Sequence, residues 1–341
     1  MTLTHETLEL HTRQPFGIAR WTHSVYPRTF VTFEQDGHTG RGEAAPNAFY
    51  GETAATVQAV LPAMLECLHD PWDWDGLQAR LGAVFPHHHP SVKCALEMAA
   101  LEWCAHSAGV PVWRLLGLSP SPIPESSFTV SLADLPDMRR QAREAVDAGH
   151  SVLKVKLGTD HDVQIVEALR EEAPAARLRV DANAAWSRHE ARRMLEVLDA
   201  AKVELLEQPL AAADLEGHAE LRRFSRLPIM ADESLHHVSD IPALSGSFDA
   251  VNLKLAKLGG PLQALRALRT ARALNMGVMM GCMIESSLGI AAGVHLAGLC
   301  DWADLDGALL LQGDPYSGLE WQAGHVQRPT GAGWGVTRPG K

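Results

Sequence analysis

The sequence predicts an α/β protein in which an eight-stranded parallel barrel follows a smaller α+β unit. Short β-rich runs recur along the second part of the chain, starting at residues 128, 151, 177, 203, 228, 250, 277 and 303. Amphipathic helical segments such as DLPDMRRQAREAVDAG occupy the intervals between them. Neighbouring strands joined by crossovers of this length must be parallel, and eight of them close naturally into a (β/α) barrel.

The first 120 residues follow a different pattern. Residues 3–11 and 28–34 alternate as antiparallel strands do, and residues 40–53 predict a turn-rich loop. Helical periodicity begins near residue 53, and a strong helix within residues 90–116 ends at Gly109. The tail is rich in Gly, Pro and Trp and is expected to fold back on the first unit. We therefore predict an α+β unit over residues 1–120, a barrel over 121–312 and a C-terminal segment over 313–341.

Composition narrows the classes of partner. The formal net charge is −11 and no Lys/Arg cluster stands apart from ordinary helix faces, so nucleic acid is not an expected partner. No apolar run reaches the roughly 18 residues of a membrane span, and no secretory signal pattern opens the chain. The five cysteines are scattered without a CxxC pair, as expected for reduced thiols in a cytoplasmic protein.

Three acidic residues interrupt the apolar barrel strands near their carboxyl ends. Asp181 closes RLRVD, Glu207 closes VELLE, and Asp232 follows PIMA. Because these strands are successive, the three carboxylates should converge on the mouth where barrel active sites lie. At about 4 Å and an effective dielectric of about 20, each pair would repel by roughly 4 kcal/mol, so either their pKa values rise steeply or a cation neutralises them. Oxygen ligands on rigid elements favour Mg²⁺ over Zn²⁺. The alternative is that each acid caps a helix or pairs with an arginine.

Lysines flank this acidic cluster. Lys154 and Lys156 are two residues apart on one strand and project to the same side, and Lys254 lies on the sixth strand. A lysine near a second lysine and a metal cation should lose its proton more easily and so become a usable base. Lys257 should leave the strand face and is set aside. Structural pairing of the lysines with the acids is the alternative.

A second acidic pair lies on the last strand. Asp304 and Asp306 are two residues apart and should point the same way. Since the first cluster already balances its metal, two more inward acids indicate a cationic group on the substrate. The alternative is that Asp306 caps a helix.

Six motifs stand in order at barrel spacing: KVKLG, DANAAW, LLEQP, ADES, NLKLAKLGG and GCMIESS. Together they closely resemble the muconate-lactonizing-enzyme subgroup of the enolase superfamily, and DLDG resembles the paired-aspartate motif of its dipeptide epimerases. The segment GEAAPNAFYGET also resembles the loop of the family's capping domain. The resemblance implies a (β/α)7β modified TIM barrel with an N-terminal capping domain that the C-terminal tail completes. Barrels of this kind commonly assemble, so a homo-oligomer is possible.

The resemblance also implies roles for individual residues. Mg²⁺ ligands fall on Asp181, Glu207 and Asp232, and the two acid/base lysines fall on Lys156 and Lys254. The substrate contacts of dipeptide epimerases fall on Thr129, Lys154, Cys282, Asp304 and Asp306. The loop FGIARWTH helps to select the substrate side chain in the family, with Arg20 or Trp21 at the contact position.

The implied reaction is the epimerisation of a dipeptide through removal and return of the α-proton next to its carboxylate, by way of an ene-diolate. Muconate cycloisomerase, o-succinylbenzoate synthase and N-acylamino acid racemase are the alternative activities. The first two act on substrates without an ammonium group, which leaves Asp304 and Asp306 no partner. A barrel that only binds a metal or a partner is the alternative from another class, and in it loss of the lysines would cost no turnover.

Overall fold

The computed structural model describes residues 1–339, and it begins with a three-stranded antiparallel sheet. Its strands are β1 (Thr2–Ile18), β2 (Trp21–Gln35) and β3 (His38–Ala44). The prediction of a loop from residue 40 was wrong for residues 40–44, which form most of β3. A Cβ atom on Gly40 or Gly42 would lie 1.9 Å from a backbone oxygen of the helix behind the sheet. These glycines therefore permit close packing rather than a turn.

Four helices complete the first unit: α1 (Ala54–Leu65), α2 (Trp74–Val84), α3 (Pro90–Ala108) and α4 (Val112–Leu115). Thr53 caps α1 and forms a capping box with Thr56, which explains why helical periodicity starts there. α3 ends at Gly109, whose φ of 65° gives the left-handed helix terminus expected for glycine. The long helix predicted after residue 90 is confirmed, whereas α2 was not predicted.

The second unit is a parallel barrel, and every predicted strand run contains a strand. These strands are β4 (Phe128–Val130), β5 (Val152–Lys156), β6 (Arg177–Asp181), β7 (Val203–Glu207), β8 (Ile229–Ala231), β9 (Ala250–Lys254), β10 (Gly277–Gly281) and β11 (Trp302–Asp304). They pair in chain order from β4 to β11. A bridge between Ser126 and Ala303 joins the two ends, so the sheet closes.

Helices connect the successive barrel strands. They are α5 (Leu135–Asp147), α6 (Asp162–Glu172), α7 (Arg188–Ala200), α8 (Leu215–Phe224), α9 (Ile241–Leu244), α10 (Leu255–Leu258), α11 (Pro261–Ala273) and α12 (Ser287–Ala297). Within residues 1–339, β11 is followed by a short 3-10 turn (Asp306–Ala308) instead of an α-helix. The predicted (β/α)7β barrel with an N-terminal α+β unit is confirmed.

The tail contacts both units. It contains the short strands β12 (Trp321–Gln322) and β13 (His325–Val326). Trp334 is buried and its indole N–H donates to the carbonyl of Arg41 in β3, while Gly333 accepts from the backbone N–H of Val112. These contacts support the predicted return of the tail to the first unit, and the limits of the three segments stay a prediction. No helix in the described part of the chain combines the length and hydropathy that a transmembrane segment requires.

The hairpin of β1 and β2 reaches the mouth of the barrel. The backbone N–H of Leu132, just after β4, donates to the carbonyl of Gly17 at 2.9 Å. A Cβ on Gly17 would lie 2.1 Å from the carbonyl oxygen of Leu132, so only glycine permits this approach. The first unit thereby supplies one wall of the cavity at the barrel mouth.

Candidate active site

Three buried carboxylates meet at the barrel mouth. Asp181 and Glu207 are the last residues of β6 and β7, and Asp232 directly follows β8. One oxygen atom from each carboxylate lies within 4.8 Å of the others. The convergence follows from three neighbouring parallel strands that end at the same edge of the barrel.

The three acids form a donor set that fits a hard divalent cation. Burial and the nearby Asp181 raise the pKa of Glu207 to about 7, because the attraction of Lys154 and Lys254 does not fully offset them. Among the described residues, Oε2 of Glu207 accepts no hydrogen bond, although the Nζ of Lys154 lies 2.8 Å away. Oxygen ligands on rigid strand ends are those that Mg²⁺ uses in proteins. The residues present therefore fit Mg²⁺.

Two lysines approach the acids from opposite sides. Lys156 ends β5 and Lys254 ends β9, and these strands are four positions apart in the ring of eight. The Nζ of Lys156 lies 2.6 Å from Asp181 Oδ2, and the Nζ of Lys254 lies 2.7 Å from Asp232 Oδ2. Both amines line one cavity of about 340 Å³. The strand positions thus place an amine on each side of the space above the acids.

The surrounding acids favour the protonated form of two of these lysines. Burial disfavours the charged form of Lys254, but the charges of Asp232 and Glu207 and the hydrogen bond to Asp232 together outweigh it and raise the pKa of Lys254 above its usual value. The pKa of Lys154 is raised in the same way, because the surrounding acids, Asp304 first, together outweigh the effect of burial. The easily lost proton expected from the sequence is therefore not a property of these side chains alone. It requires a cation that competes with the ammonium groups for the same carboxylates.

Lys257 leaves the strand face as expected, but its side chain belongs to this cluster, so setting it aside was wrong. β9 stops at Lys254 and the chain turns at once into α10, which brings Lys257 back toward the mouth. Its Nζ lies 2.7 Å from Asp232 Oδ1 and donates to the backbone carbonyls of Asp232 and Asn252. The glycine pair after LAKL was the available signal, because it ends a helical turn rather than a strand.

Asp304 and Asp306 lie at the other end of the same cavity. Asp304 accepts from the hydroxyl of Ser127 at 2.7 Å and from the Nζ of Lys154 at 2.8 Å. Asp306 accepts from the backbone N–H of Thr129 at 2.6 Å, so its carboxylate reaches across to β4 instead of capping its own turn. Burial and Asp304 raise the pKa of Asp306 to about 7. This end of the site therefore has an acid without a full counter-charge.

Cys282 lines the cavity close to these acids. Burial, followed by the charges of Asp306 and Asp304, raises the pKa of its thiol well above the usual value. A thiolate nucleophile is therefore disfavoured. Cys282 therefore serves as a small side chain that lines the cavity.

Polar residues that the sequence analysis did not select hold the acids in place. Asn252, on the same face of β9 as Lys254, donates to Glu207 Oε1 at 2.8 Å. Because residues two apart on a strand point to the same face, its position two residues before Lys254 could have identified it from the sequence. Glu233 is buried beside Asp232, and its Oε1 lies 2.6 Å from Arg20 NH2. Arg20 also donates to the carbonyl of Asn183, while Arg20 and Trp21 both line the cavity.

Comparison with known proteins places this site in a family. A family described as enolase C-terminal domain-like matches residues 137–338. The chain is 33% identical to an L-Ala-D/L-Glu epimerase of Bacteroides thetaiotaomicron, covering 99% of this chain and 88% of that protein. It is 36% identical to a hydrophobic dipeptide epimerase of Roseobacter litoralis, covering 95% of each.

Solved structures show the same relationship. The crystal structure of a dipeptide epimerase from Cytophaga hutchinsonii, complexed with Mg and the dipeptide D-Ala-L-Val, matches this chain with a TM-score of 0.94. The two are 28% identical, and the match covers 100% of this chain and 97% of that one. The resemblance drawn from the motifs is confirmed, and the chain belongs to the enolase C-terminal domain-like family.

Proposed function

We propose that this protein is an isomerase that epimerises dipeptides, with Mg²⁺ as its cofactor. One observation carries the proposal: Lys156 and Lys254 come from opposite sides of the barrel and line one cavity between two groups of acids. Such an arrangement suits a carbon atom that loses a proton on one face and receives one on the other. The relatives and solved structures named above, which are dipeptide epimerases, support the same activity.

Asp181, Glu207 and Asp232 would hold the Mg²⁺. Bound there, the ion would supply positive charge that stabilises the negative charge developing on the substrate carboxylate. Lys154 lies 2.8 Å from Glu207 and 3.2 Å from Asp181, so its ammonium adds a second positive charge at this end of the cavity. The proton next to a carboxylate is otherwise too weakly acidic for an amine to remove.

The two lysines divide the proton transfers. One amine takes the α-proton, and the electron pair of the broken C–H bond moves into the carboxylate. The ammonium group of the opposite lysine then gives a proton to the other face of the carbon, which inverts the centre. The roles of Lys156 and Lys254 exchange for the reverse reaction, so neither epimer needs a separate site.

Asp304 and Asp306 would bind the terminal ammonium group of the dipeptide. Thr129 and Cys282 contribute to the same end of the cavity. A charge-assisted contact there fixes the distance between the ammonium group and the carboxylate, and so places the α-carbon between the lysines. Substrates without an ammonium group, such as those of muconate cycloisomerase and o-succinylbenzoate synthase, would leave the buried Asp306 without a counter-charge, since only Asp304 is paired with Lys154.

Incubation of the protein with L,L-dipeptides and Mg²⁺ in D₂O tests this function. We expect one α-hydrogen, that of the residue bearing the free carboxylate, to be replaced by deuterium as the L,D-epimer appears in the NMR spectrum. An N-acetylated copy of each peptide should react far more slowly, because it has no ammonium group for Asp304 and Asp306. Faster turnover of N-acylated compounds would instead favour an N-acylamino acid racemase.

We also propose that the protein works in the cytoplasm on this small-molecule substrate. In the described chain all five cysteines are free, and four of them are buried. Buried thiols without disulfides suit a reducing compartment. Assembly into a homo-oligomer stays a prediction.

A further inference from the structure

One wall of the cavity is built by the hairpin of β1 and β2. Phe16 pairs with His23, and Ile18 pairs with Trp21. Trp21, His23 and Val25 alternate along β2 and therefore share one face of the strand. All of these residues line the cavity that holds Lys156 and Lys254.

This wall has a fixed position. Gly17 is held against Leu132 of the barrel, as described above, and Arg20 binds the barrel at two further points. One is the carbonyl of Asn183 after β6, and the other is the carboxylate of Glu233 after β8. The hairpin is therefore tied to several loops of the mouth, and its apolar side chains face the reacting centre in a defined arrangement.

The arginines of the wall already have partners. Arg20 lies 2.6 Å from Glu233, and its guanidinium carbon lies 4.5 Å from the ring centre of Phe49 and 5.1 Å from that of Trp21. Arg28 is buried and donates to the carbonyls of Ile284 and Pro27 at 2.6 and 2.9 Å. Arg20 is thus neutralised by Glu233, and the guanidinium of Arg28 is buried and held by backbone carbonyls, so neither presents an exposed cation to a substrate side chain.

The acids of the wall also have partners in the protein, through hydrogen bonds or an ion pair. Glu52 accepts hydrogen bonds from the backbone and the hydroxyl of Ser91, and burial raises its pKa to about 7. Glu233 pairs with Arg20. His23, the remaining titratable side chain of the hairpin tip, is exposed and packs between Trp21 and Tyr26, at ring distances of 6.1 and 6.2 Å. Below about pH 7 Glu52 is therefore largely neutral, and Glu233 is already paired, so a cationic side chain would meet no ionised acid without a partner on this wall.

The two charged ends of a dipeptide determine which part of it meets this wall. If the carboxylate lies at the Mg²⁺ that Asp181, Glu207 and Asp232 would hold, and the ammonium lies at Asp304 and Asp306, the side chain on the reacting carbon would face the hairpin. Burying an ionised side chain there without a partner is costly, whereas an apolar side chain gains contacts. The available surface comprises Phe16, Ile18, Trp21, Val25, Tyr26 and Phe49.

We propose that the preferred substrates carry an apolar or aromatic side chain on the residue that is epimerised. This inference rests on the proposed function, because it needs a dipeptide bound between the two lysines. It names the substrate class of that site, and it distinguishes between relatives named for an acidic residue and for hydrophobic dipeptides.

A four-peptide comparison tests the preference. L-Ala-L-Leu, L-Ala-L-Phe, L-Ala-L-Glu and L-Ala-L-Lys are incubated separately with the Mg²⁺-loaded protein in D₂O, and the initial rate of α-deuteration gives kcat/KM. We expect the Leu and Phe peptides to exceed the Glu and Lys peptides by at least about 100-fold. An equal or higher value for either charged peptide would overturn the inference and leave the epimerase function intact. Exchange with none of the four would overturn both.

A matched pair of variants tests whether the wall sets the preference. Val25 on the wall and Val146 on the outer helix α5 are 39% and 38% exposed, so they form a matched pair of partly exposed positions for an arginine. Val25→Arg supplies a free cation beside the reacting side chain, and it should raise the ratio of kcat/KM for the Glu peptide over the Leu peptide by about tenfold or more. Val146→Arg should leave that ratio unchanged. An unchanged ratio in Val25→Arg would show that the side chain lies elsewhere.

Discussion

Individual side chains at the barrel mouth form ion pairs with more than one neighbour. Lys154 contacts Asp181, Glu207 and Asp304, which links the metal-site acids to the paired aspartates at the far end of the cavity. Their positions as polar residues at strand ends were readable from the sequence, because an inward acid or lysine contradicts an apolar barrel core. Lys257 was not readable, because its place depends on a turn of helix that starts inside the motif.

Asp306 gives the first prediction at this scale. Asp306→Asn keeps an oxygen for the N–H of Thr129 but removes the charge that would hold the substrate ammonium. We expect kcat/KM for the dipeptide to fall by about 10- to 100-fold, the value of a charge-assisted hydrogen bond, with a smaller change in kcat.

The pH dependence of the same residue has a defined sign. Burial raises the pKa of Asp306 to about 7, so the acid is protonated below that pH and loses its attraction for the ammonium group. In the wild type, kcat/KM should therefore decline as the pH falls below about 7. The Asn variant should retain only the decline that protonation of the base lysine causes, so its acidic limb should differ from that of the wild type, and an identical acidic limb in both proteins would contradict the assignment.

At the scale of elements, contacts between the two units position the mouth. Glu43, in β3, accepts from the backbone N–H groups of Ser286 and Gly289 at 3.0 and 3.1 Å, at the start of α12. The sheet of the first unit thus caps a barrel helix. The sequence predicted neither this contact nor that between Arg20 and Glu233, because residues more than 200 positions apart leave no local pattern.

Packing of β3 on α3 gives a prediction about stability. A Cβ on Gly42 would lie 1.9 Å from the carbonyl oxygen of Ala95, whereas one on Gly82, in α2, would meet nothing within 4 Å. Gly42→Ala should therefore destabilise the protein by about 2 kcal/mol or more, since backbone must move. Gly82→Ala should stabilise it by about 0.5–1 kcal/mol, because alanine is the better helix former.

Urea unfolding measured by circular dichroism distinguishes the two glycine variants. The midpoint should shift down for Gly42→Ala and slightly up for Gly82→Ala, with the same slope. Equal shifts in both variants would show that β3 and α3 are not in the close contact described here.

For the whole molecule, the alternation of strand and helix along the sequence was the main basis for predicting the fold. The β-rich runs and their regular spacing located all eight barrel strands, because each strand and its crossover must span the barrel once. Residues 40–44 and α2 were missed, since glycine packing and a short amphipathic helix resemble loop sequence. The division at residues 120 and 312 stays a prediction, because the tail contacts both units.

Metal binding should stabilise the whole fold. Asp181, Glu207 and Asp232 are buried together, so a divalent ion among them would relieve their repulsion in the folded state only. Mg²⁺ at about 100 times its Kd should add about 2.7 kcal/mol and raise Tm in a calorimetric scan. Asp232→Asn should abolish most of the rise, and Asp160→Asn, at an exposed acid, should retain it. A Tm independent of Mg²⁺ in the wild type would contradict the metal site.

The central claim is that Lys156 and Lys254 serve opposite faces of one carbon. Lys156→Ala and Lys254→Ala should each lose interconversion of the L,L- and L,D-dipeptides by about 100-fold or more. The lysine that remains in each variant can still exchange the proton on its own face with D₂O. Mass spectrometry of the two epimers should therefore show that one variant deuterates only the L,L-peptide and the other only the L,D-peptide. Exchange of the same epimer by both variants, or full interconversion in either, would contradict the claim.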